Sequence, residues 1–319
     1  MGMLIDGVWT PDPDMPRSAK GAFERSAAAV RGWVRADGST PFAPEPGRYH
    51  LYVSLACPWA HRTLIVRKLK KLEDAISVSI VDWHMTDEGW HFSERDGATP
   101  DPHLGARYLR EVYQASDPQF TGRVTVPVLW DTKQGVIVNN ESAEIIRMLN
   151  AEFDAMGDAS LDLYPESLRV EIDALNERVY DAINNGVYKC GFAGTQEAYE
   201  EAFDALFGLL EELEDRLGRQ RYLLGERITE ADWRLFTTLV RFDPVYFGHF
   251  KCNLRRIADC PNLWGYLRDL YQVEGVAETV DLHHIKSHYY ASHRMLNPRG
   301  IVPKGPEIDF SGPHGRDGR

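Results

Sequence analysis

The sequence predicts an α/β domain followed by an all-helical domain. Strand-like apolar runs lie between residues 49 and 140, where they alternate with helical patterns. From Ser167 to Val280 the apolar residues recur at helical spacing instead, and the change falls around Tyr164-Pro165. We therefore expect four segments along the chain: an irregular arm (1–48), the α/β domain (49–160), the helical domain (165–292) and an irregular tail (293–319).

The composition is that of a soluble globular protein. Its 319 residues are 43% hydrophobic and 26% charged, which is enough for two domains with their own cores. Lys and Arg total 36 against 48 Asp and Glu, a net charge of -12 that argues against nucleic acid or an anionic membrane as a partner. No apolar run approaches a transmembrane length, and the N-terminus lacks a signal-peptide core. We expect a cytoplasmic protein.

The four cysteines do not form a recognisable framework. They stand at positions 57, 190, 252 and 260, without the paired spacing of disulfides or of a zinc site. In a reducing cytosol all four are expected as thiols, and no metal is expected.

Cys57 lies where the first predicted strand, Tyr49 to Leu55, turns into a helix. Pro58 suits the first helical position, because its missing N–H is one that a helix leaves unpaired anyway. The free N–H groups and positive dipole end of that helix favour a thiolate over a thiol. Ala60 stands where a dithiol redox motif has its second cysteine, so a disulfide formed during turnover needs an external sulfur. The alternative is a buried, inert cysteine.

A helix and a second strand complete the first βαβ unit, and a long insertion follows it. The helical pattern continues to Leu72, and Ala75 to Trp83 reads as a second strand. Residues 84–122 form a long insertion with a predicted helix from Leu104 to Gln114. A connection of this length is more often functional than idle.

The run from Arg123 to Asp131 contains Pro127, which argues against a plain central strand. A cis proline at the start of the strand is one solution. A hairpin through residues 134–138 then leads to a helix from Ala143 to Phe153. The preceding Glu141 and Ser142 either simply cap this helix or mark a helix start that holds an anionic group of a ligand. The order β-α-β, then β-β-α, with a cysteine after the first strand and a proline before the third, is a thioredoxin-like plan.

Two features stand out in the helical half. Gly186 interrupts a helix just before Tyr188 and is expected to bend it toward a cleft. Thr229 to Asp232 form a capping box that opens a buried helix, which is a structural feature.

The chain resembles the glutathionyl-hydroquinone reductases, also called the Xi class of the glutathione transferases, over nearly its whole length. The matching motifs are Cys57-Pro58-Trp59-Ala60, Gly89-Trp90, Arg123-Val124-Thr125-Val126-Pro127, Glu141-Ser142, Asn185-Gly186-Val187-Tyr188-Lys189-Cys190-Gly191-Phe192-Ala193, Asp243-Pro244-Val245-Tyr246, His284-Ile285-Lys286-x-His288-Tyr289-Tyr290 and Asn297-Pro298-x-Gly300-Ile301-Val302-Pro303.

This resemblance implies an enzyme that uses glutathione as co-substrate and glutathionyl-hydroquinones as substrates. Cys57 is then the nucleophile: it attacks the thioether sulfur, forms a mixed disulfide with glutathione, and is regenerated by a second glutathione. The resemblance also implies a homodimer through the helical domain.

The resemblance assigns site residues on both domains. Tyr188 is the acid and base, and Tyr246 and Tyr289 lie near the reactive sulfur, with Tyr290 as the alternative to Tyr289. The residues implied for glutathione are Trp90, Arg123, Val124, Thr125, Val126, Glu141 and Ser142.

Each of these glutathione-site residues has a physical rationale and a structural alternative. The backbone of Val126 can pair with the tripeptide like an added strand, and the carboxylate of Glu141 can meet its ammonium group. Against this, Trp90 can simply pin the insertion and Arg123 can pair with a surface acid.

Three other functions compete with this interpretation. A conjugating glutathione transferase needs a hydroxyl at the sulfur, not the thiolate of Cys57. An omega-like thiol transferase or dehydroascorbate reductase also uses a cysteine before proline, but the tyrosine motifs and the insertion favour the Xi class. A non-enzymatic binding protein would be expected to have a degraded site.

Overall fold

The computed structural model describes residues 2–11 and 17–318 of the chain. These residues divide into two compact units. One contains Ser26–Asp162, Thr279–His288 and the described residues up to 11, and we call it the sheet unit. The other contains residues 17–25, Leu163–Glu278 and the tail from Tyr289, and we call it the helical unit.

Within the described residues the strands form two sheets. The larger has the order β4-β3-β6-β7, with β3 parallel to β4 and antiparallel to β6. The smaller is antiparallel throughout, with the order β2-β1-β5. The strands are β1 Met3–Ile5, β2 Val8–Thr10, β3 Tyr49–Val53, β4 Ile76–Ile80, β5 Gly122–Arg123, β6 Val128–Asp131 and β7 Val136–Asn139.

The α-helices follow in the order α1 Pro58–Leu69, α2 Leu109–Ser116, α3 Ser142–Ala151, α4 Arg169–Val179, α5 Gly186–Gly191, α6 Gln196–Leu217, α7 Glu230–Arg241, α8 Phe247–His249, α9 Pro261–Tyr271 and α10 Leu282–Ser292. Two π-helical turns, Tyr180–Asn184 and Phe242–Tyr246, interrupt the helical unit. Short 3-10 turns occupy Glu166–Leu168, Ile257–Asp259 and Ala277–Thr279.

The predicted fold class is confirmed. Strand β3, helix α1 and strand β4 form the βαβ unit, and β6, β7 and α3 form the ββα unit. All five residues of β3 are buried, as expected for the central strand of a covered sheet. The second half of the chain is helical, and residues 293–318 contain neither helix nor strand.

The prediction of an irregular arm was wrong for its first residues. Strands β1 and β2 form a hairpin whose turn is Asp6-Gly7, both at positive φ (48° and 76°). An Asp-Gly pair is a strong hairpin signal, but each strand has only three residues and shows little periodicity. Residues 12–16 of the arm and residue 319 of the tail lie outside the described residues.

The run from Arg123 to Asp131 is not a plain strand, as Pro127 indicated. It is divided into β5, which joins the smaller sheet, and β6, which joins the larger, with a cis Val126–Pro127 bond between them. The helix predicted to begin at Leu104 begins at Leu109.

Candidate active site

Cys57 is the N-cap residue of α1, with φ -78° and ψ 122°, and Pro58 follows at the first helical position. The Cys57 carbonyl accepts the first helical hydrogen bond, from the His61 N–H at 3.0 Å. The side chain is partly exposed, and its Sγ donates to the carbonyl oxygen of Val126 at 3.5 Å. The thiol therefore lies at a helix start beside the backbone predicted to pair with a peptide ligand.

The backbone before Pro127 is held in place from within the sheet unit. The Tyr113 hydroxyl donates to the Thr125 carbonyl at 2.9 Å, and the Asn140 amide donates to that hydroxyl at 3.1 Å. Val124 and Val126 are buried, and Arg123 pairs with Met3 of β1. This segment, which contains four of the predicted glutathione residues, is thus a rigid neighbour of Cys57.

Glu141 caps α3, which was one of the two roles left open by its sequence. Its Oε1 accepts a hydrogen bond from the Ala143 N–H at 3.0 Å. Ser142 accepts one from Arg62 Nη1 at 3.4 Å, and the Arg62 guanidinium lies 4.5 Å from the centre of the Trp59 ring. Arg62 belongs to α1, so the starts of α1 and α3 are linked, and two positive helix ends lie in one region.

Trp90 packs inside the sheet unit. Its ring is 6% exposed and stacks on the ring of His288, with 4.7 Å between the centroids. His288 is held by a hydrogen bond between its Nδ1 and the Trp83 carbonyl at 2.9 Å. These contacts anchor the insertion, and the role of Trp90 toward glutathione stays a prediction.

Three tyrosine hydroxyls meet inside the helical unit. The hydroxyls of Tyr188 and Tyr289 lie 2.5 Å apart, and those of Tyr246 and Tyr289 lie 3.0 Å apart. We call these three residues the tyrosine cluster. Burial raises the pKa of Tyr246 and of Tyr289 well above the ordinary value of a tyrosine. Tyr290 lies outside the cluster and donates to the Pro244 carbonyl at 3.4 Å, so Tyr289 and not Tyr290 contacts the hydroxyls of Tyr188 and Tyr246.

Both π-helical turns are next to the tyrosine cluster. One ends two residues before Gly186, at the start of α5, which carries Tyr188. The other ends at Tyr246 itself. A π-turn inserts one residue into a helix and is frequent at functional sites. The sequence predicted a bend at Gly186, whereas the π-turns have no signal in apolar spacing.

Arg25 was not identified as a site residue from the sequence. Its guanidinium carbon lies 4.7 Å from the centre of the Tyr188 ring, and its Nε donates to Asn185 Oδ1 at 2.7 Å. No local pattern around Arg25 indicates this contact, because its partners are about 160 residues away in the chain.

The other cysteines differ from Cys57. Cys190, Cys252 and Cys260 are buried free thiols. Burial raises the pKa of Cys252 well above the ordinary value, and it also raises the pKa of Cys260. Thiolate chemistry is therefore disfavoured at these two positions.

No group of three or more His, Cys, Asp or Glu in residues 2–11 and 17–318 has the arrangement of a metal site. In the same part of the chain, no helix combines the length and the apolar character that crossing a membrane requires.

Comparison with known families defines the class of protein. Residues 56–152 match the glutathione S-transferase N-terminal domain, and residues 196–269 match the glutathione S-transferase C-terminal domain. A thioredoxin-like sheet unit with a cysteine at a helix start, followed by this helical domain, is a protein of the glutathione transferase superfamily.

Two relatives identify the family within this superfamily. The chain is 55% identical to the glutathionyl-hydroquinone reductase YqjG of Escherichia coli (strain K12), over 100% of this chain and 99% of YqjG. It is also 55% identical to the glutathionyl-hydroquinone reductase PcpF of Sphingobium chlorophenolicum, over 98% of each chain. The chain belongs to the glutathionyl-hydroquinone reductases, the Xi class of the glutathione transferases.

Solved structures agree with this family. An Xi-class glutathione transferase from Natrialba magadii superposes with a TM-score of 0.94 at 54% identity, over 99% of this chain and 97% of that one. The glutathione-bound structure of YqjG superposes with a TM-score of 0.91 at 54% identity, over 99% of both chains.

Proposed function

We propose that this protein reductively removes glutathione from glutathionyl-hydroquinones, with Cys57 as the nucleophile and glutathione as co-substrate. The observation that carries the proposal is the Cys57 thiol at the start of α1, 3.5 Å from the Val126 carbonyl. The names of the relatives YqjG and PcpF support the same substrate class.

The reaction needs a thiolate attack on the thioether, a thiol–disulfide exchange and one proton for the aromatic carbon. The Cys57 thiolate donates an electron pair to the thioether sulfur, and a sulfur–sulfur bond forms between Cys57 and glutathione. The carbon–sulfur bond breaks with its electron pair left on the aromatic carbon, which takes a proton to give the hydroquinone. A second glutathione thiolate then attacks the mixed disulfide, releasing glutathione disulfide and the Cys57 thiolate. Ala60 leaves Cys57 without a resolving cysteine at that motif position.

In this proposal glutathione binds along residues 123–126, the segment whose Val126 carbonyl lies beside the Cys57 thiol. The Val126 backbone pairs with the cysteinyl part of the tripeptide, and the Glu141 carboxylate meets the γ-glutamyl ammonium group. The cap to Ala143 uses Oε1 of Glu141, and Oε2 is assigned to the ligand. The further contacts proposed are those of Trp90, Arg123, Val124, Thr125 and Ser142.

The tyrosine cluster supplies the proton in this mechanism. Tyr188 is the proton donor to the aromatic carbon, and Tyr289 and Tyr246 extend the hydrogen-bonded chain behind its hydroxyl. Such a chain positions the donor and shares the charge left after proton transfer.

The first test is directed at Cys57. Cys57→Ser is expected to abolish thioether cleavage while the fold and glutathione binding persist, because serine keeps the geometry but lacks the nucleophile. A mixed disulfide formed with oxidised glutathione should map by peptide mass spectrometry to Cys57. Cys260→Ser is the matched control and should retain activity. An adduct on another cysteine, or full turnover by Cys57→Ser, would refute the proposal.

A second test separates the proton donor from the thiol chemistry. Tyr188→Phe is expected to slow single-turnover thioether cleavage by about 10²–10⁴-fold, the usual contribution of general acid catalysis. Reduction of the mixed disulfide at Cys57 should keep its rate, since it places no proton on carbon. Tyr290→Phe, next to the cluster, is the control. Full-rate cleavage by Tyr188→Phe would remove Tyr188 from the mechanism.

We further infer that the protein acts in the cytoplasm as a homodimer formed through the helical domain. The buried thiols of Cys190, Cys252 and Cys260 are consistent with a reducing compartment. Val170 of α4 exposes 84% of its surface, and Tyr180 at the end of α4 is also exposed, so this part of the helical unit offers apolar surface to a second copy. Light scattering of the purified protein would measure its mass, and a monomeric mass would exclude the dimer.

A further inference from the structure

Residues 17–25 of the arm belong to the helical unit and are bonded to it. Arg17 Nε donates to the Phe192 carbonyl at 3.1 Å, and the Gly194 N–H donates to the Gly21 carbonyl at 2.8 Å. The Thr195 hydroxyl donates to the Lys20 carbonyl at 3.0 Å. These bonds fasten the segment to the residues that follow α5.

This attachment places two side chains of the arm on Tyr188. The ring of Phe23 stacks against that of Tyr188, with 6.4 Å between the centroids. The Arg25 guanidinium carbon lies 4.7 Å from the centre of the Tyr188 ring and 5.4 Å from that of Phe23. The hydrogen bond from Arg25 Nε to Asn185 Oδ1, at 2.7 Å, fixes the orientation of the guanidinium group.

We propose that Arg25 is a positioning residue for proton transfer, whose charge stabilises the tyrosinate that Tyr188 becomes when it gives up its proton. The inference rests on the proposed function of Tyr188. In the ground state the cation faces a neutral phenol ring, a contact of modest strength. As the proton leaves, negative charge spreads into that ring and the attraction grows. An interaction that strengthens toward the transition state accelerates the step, whereas a constant one does not.

Other charged or titratable groups face the cluster from its neighbours. Arg241 of α7 acts on Tyr246 and Tyr289, where it opposes the effect of burial on the pKa of each. The His293 ring lies 5.4 Å from that of Tyr289. Burial lowers the pKa of His249 to about 4, so this residue is neutral at physiological pH. The groups on α5 are Lys189, which is paired with Asp181, and the Cys190 thiol. Arg25 differs from all of these because its cation lies over the Tyr188 ring itself.

The test uses the full-length protein and compares three variants in single-turnover cleavage of a glutathionyl-hydroquinone. Arg25→Gln removes the charge and is expected to slow cleavage about tenfold, in line with a desolvated cation–π contact. Arg25→Lys keeps the charge and should restore most of the rate. Arg17→Gln weakens the attachment of the same segment without removing a charge from the Tyr188 ring, and should cleave at nearly the wild-type rate. Reduction of the Cys57 mixed disulfide should be unchanged in all three.

A titration without substrate gives an independent readout. Tyrosinate absorbance is followed against pH, and the curve of the matching Tyr188→Phe protein is subtracted to isolate Tyr188. In Arg25→Gln the tyrosinate signal should begin at higher pH than in the wild-type background, because removing a cation disfavours the anion. An unchanged titration, or equal slowing in Arg17→Gln and Arg25→Gln, overturns the inference and leaves Arg25 a structural residue. If Tyr188→Phe cleaves at full rate, the proposed function of Tyr188 fails instead, while the titration still decides whether Arg25 acts on the ring.

Discussion

The reactivity of each cysteine follows from its place in the chain. Cys57 precedes the first turn of α1, so it lies at the positive end of a helix dipole, and its side chain is partly exposed. Cys252 is enclosed in the helical unit, where burial raises its pKa. The helix start therefore supports the thiolate proposed at Cys57, whereas burial disfavours a thiolate at Cys252.

Glu141 has an observed role as the cap of α3 and a proposed role in binding glutathione, and a pair of substitutions can separate the two. Glu141→Gln keeps a side-chain oxygen for the Ala143 N–H but removes the charge, so glutathione affinity should fall by roughly 1.5–3 kcal/mol with little change in melting temperature. Glu141→Ala should lose the cap as well, which costs about 1 kcal/mol of stability. Calorimetric titration with glutathione and thermal unfolding measure the two effects.

A matched control for this experiment is Thr195, which caps α6 through its hydrogen bond from the Ala198 N–H at 3.2 Å. Thr195→Ala should reduce stability by a similar amount, about 1 kcal/mol, and leave glutathione affinity unchanged. Wild-type affinity in Glu141→Gln would show that Glu141 serves only as a cap.

At the level of elements, the start of α7 shows how one capping residue can connect several parts of the helical unit. Helix α7 begins with the capping box that the sequence predicted: Asp232 Oδ2 accepts from the Thr229 N–H at 2.7 Å. Its Oδ1 accepts from the Leu223 N–H at 3.0 Å and from the Tyr266 hydroxyl at 2.9 Å. The carboxylate is fully buried, and its hydrogen bonds connect α7 with the loop before it and with α9.

Asp232→Ala should therefore be strongly destabilising, by roughly 3 kcal/mol or more, since several buried donors lose their acceptor. Asp259→Ala provides the control, because the exposed Asp259 carboxylate accepts the Arg256 N–H at 3.0 Å at the start of a 3-10 turn. Little change in stability is expected there. Chemical denaturation of both variants measures the difference, and equal effects would contradict the role assigned to burial.

At the scale of the whole molecule, an irregular tail completes the helical unit. Arg316 is 1% exposed, and its Nη2 donates to the carbonyls of Leu217, Gln220 and Arg221 at 3.1, 2.7 and 2.6 Å. These carbonyls lie at and beyond the end of α6, the negative end of the helix dipole. The tail therefore supplies a cation that stabilises the end of α6, the longest helix among the described residues.

Arg316→Ala is expected to lower the free energy of unfolding by about 2–3 kcal/mol, because three carbonyls lose a charged donor. Hydrogen exchange should show faster opening of the last turn of α6. Arg299→Ala, in an exposed part of the same tail, should change neither quantity. Unchanged exchange in Arg316→Ala would mean that the tail does not stabilise the helix end.

The sequence by itself determined the order of the elements, the place of Cys57 before α1, the capping box of α7 and the break at Pro127. Each of these depends on residues close together in the chain, whose periodicity, missing N–H groups and capping side chains act locally. The short β1–β2 hairpin has a local signal as well, its Asp-Gly turn, but its three-residue strands are too short to show periodicity.

Only the tertiary structure decided which side chains surround the tyrosines. Tyr188 and Tyr289 are hydrogen-bonded across 101 positions, and Arg25 reaches Asn185 across 160. The resemblance named the tyrosines, but no spacing within the chain predicts that Tyr289 rather than Tyr290 joins them, or that a guanidinium from the arm lies on the Tyr188 ring. Such contacts depend on how distant elements pack, and the two π-helical turns that position the tyrosines depend on that packing as well.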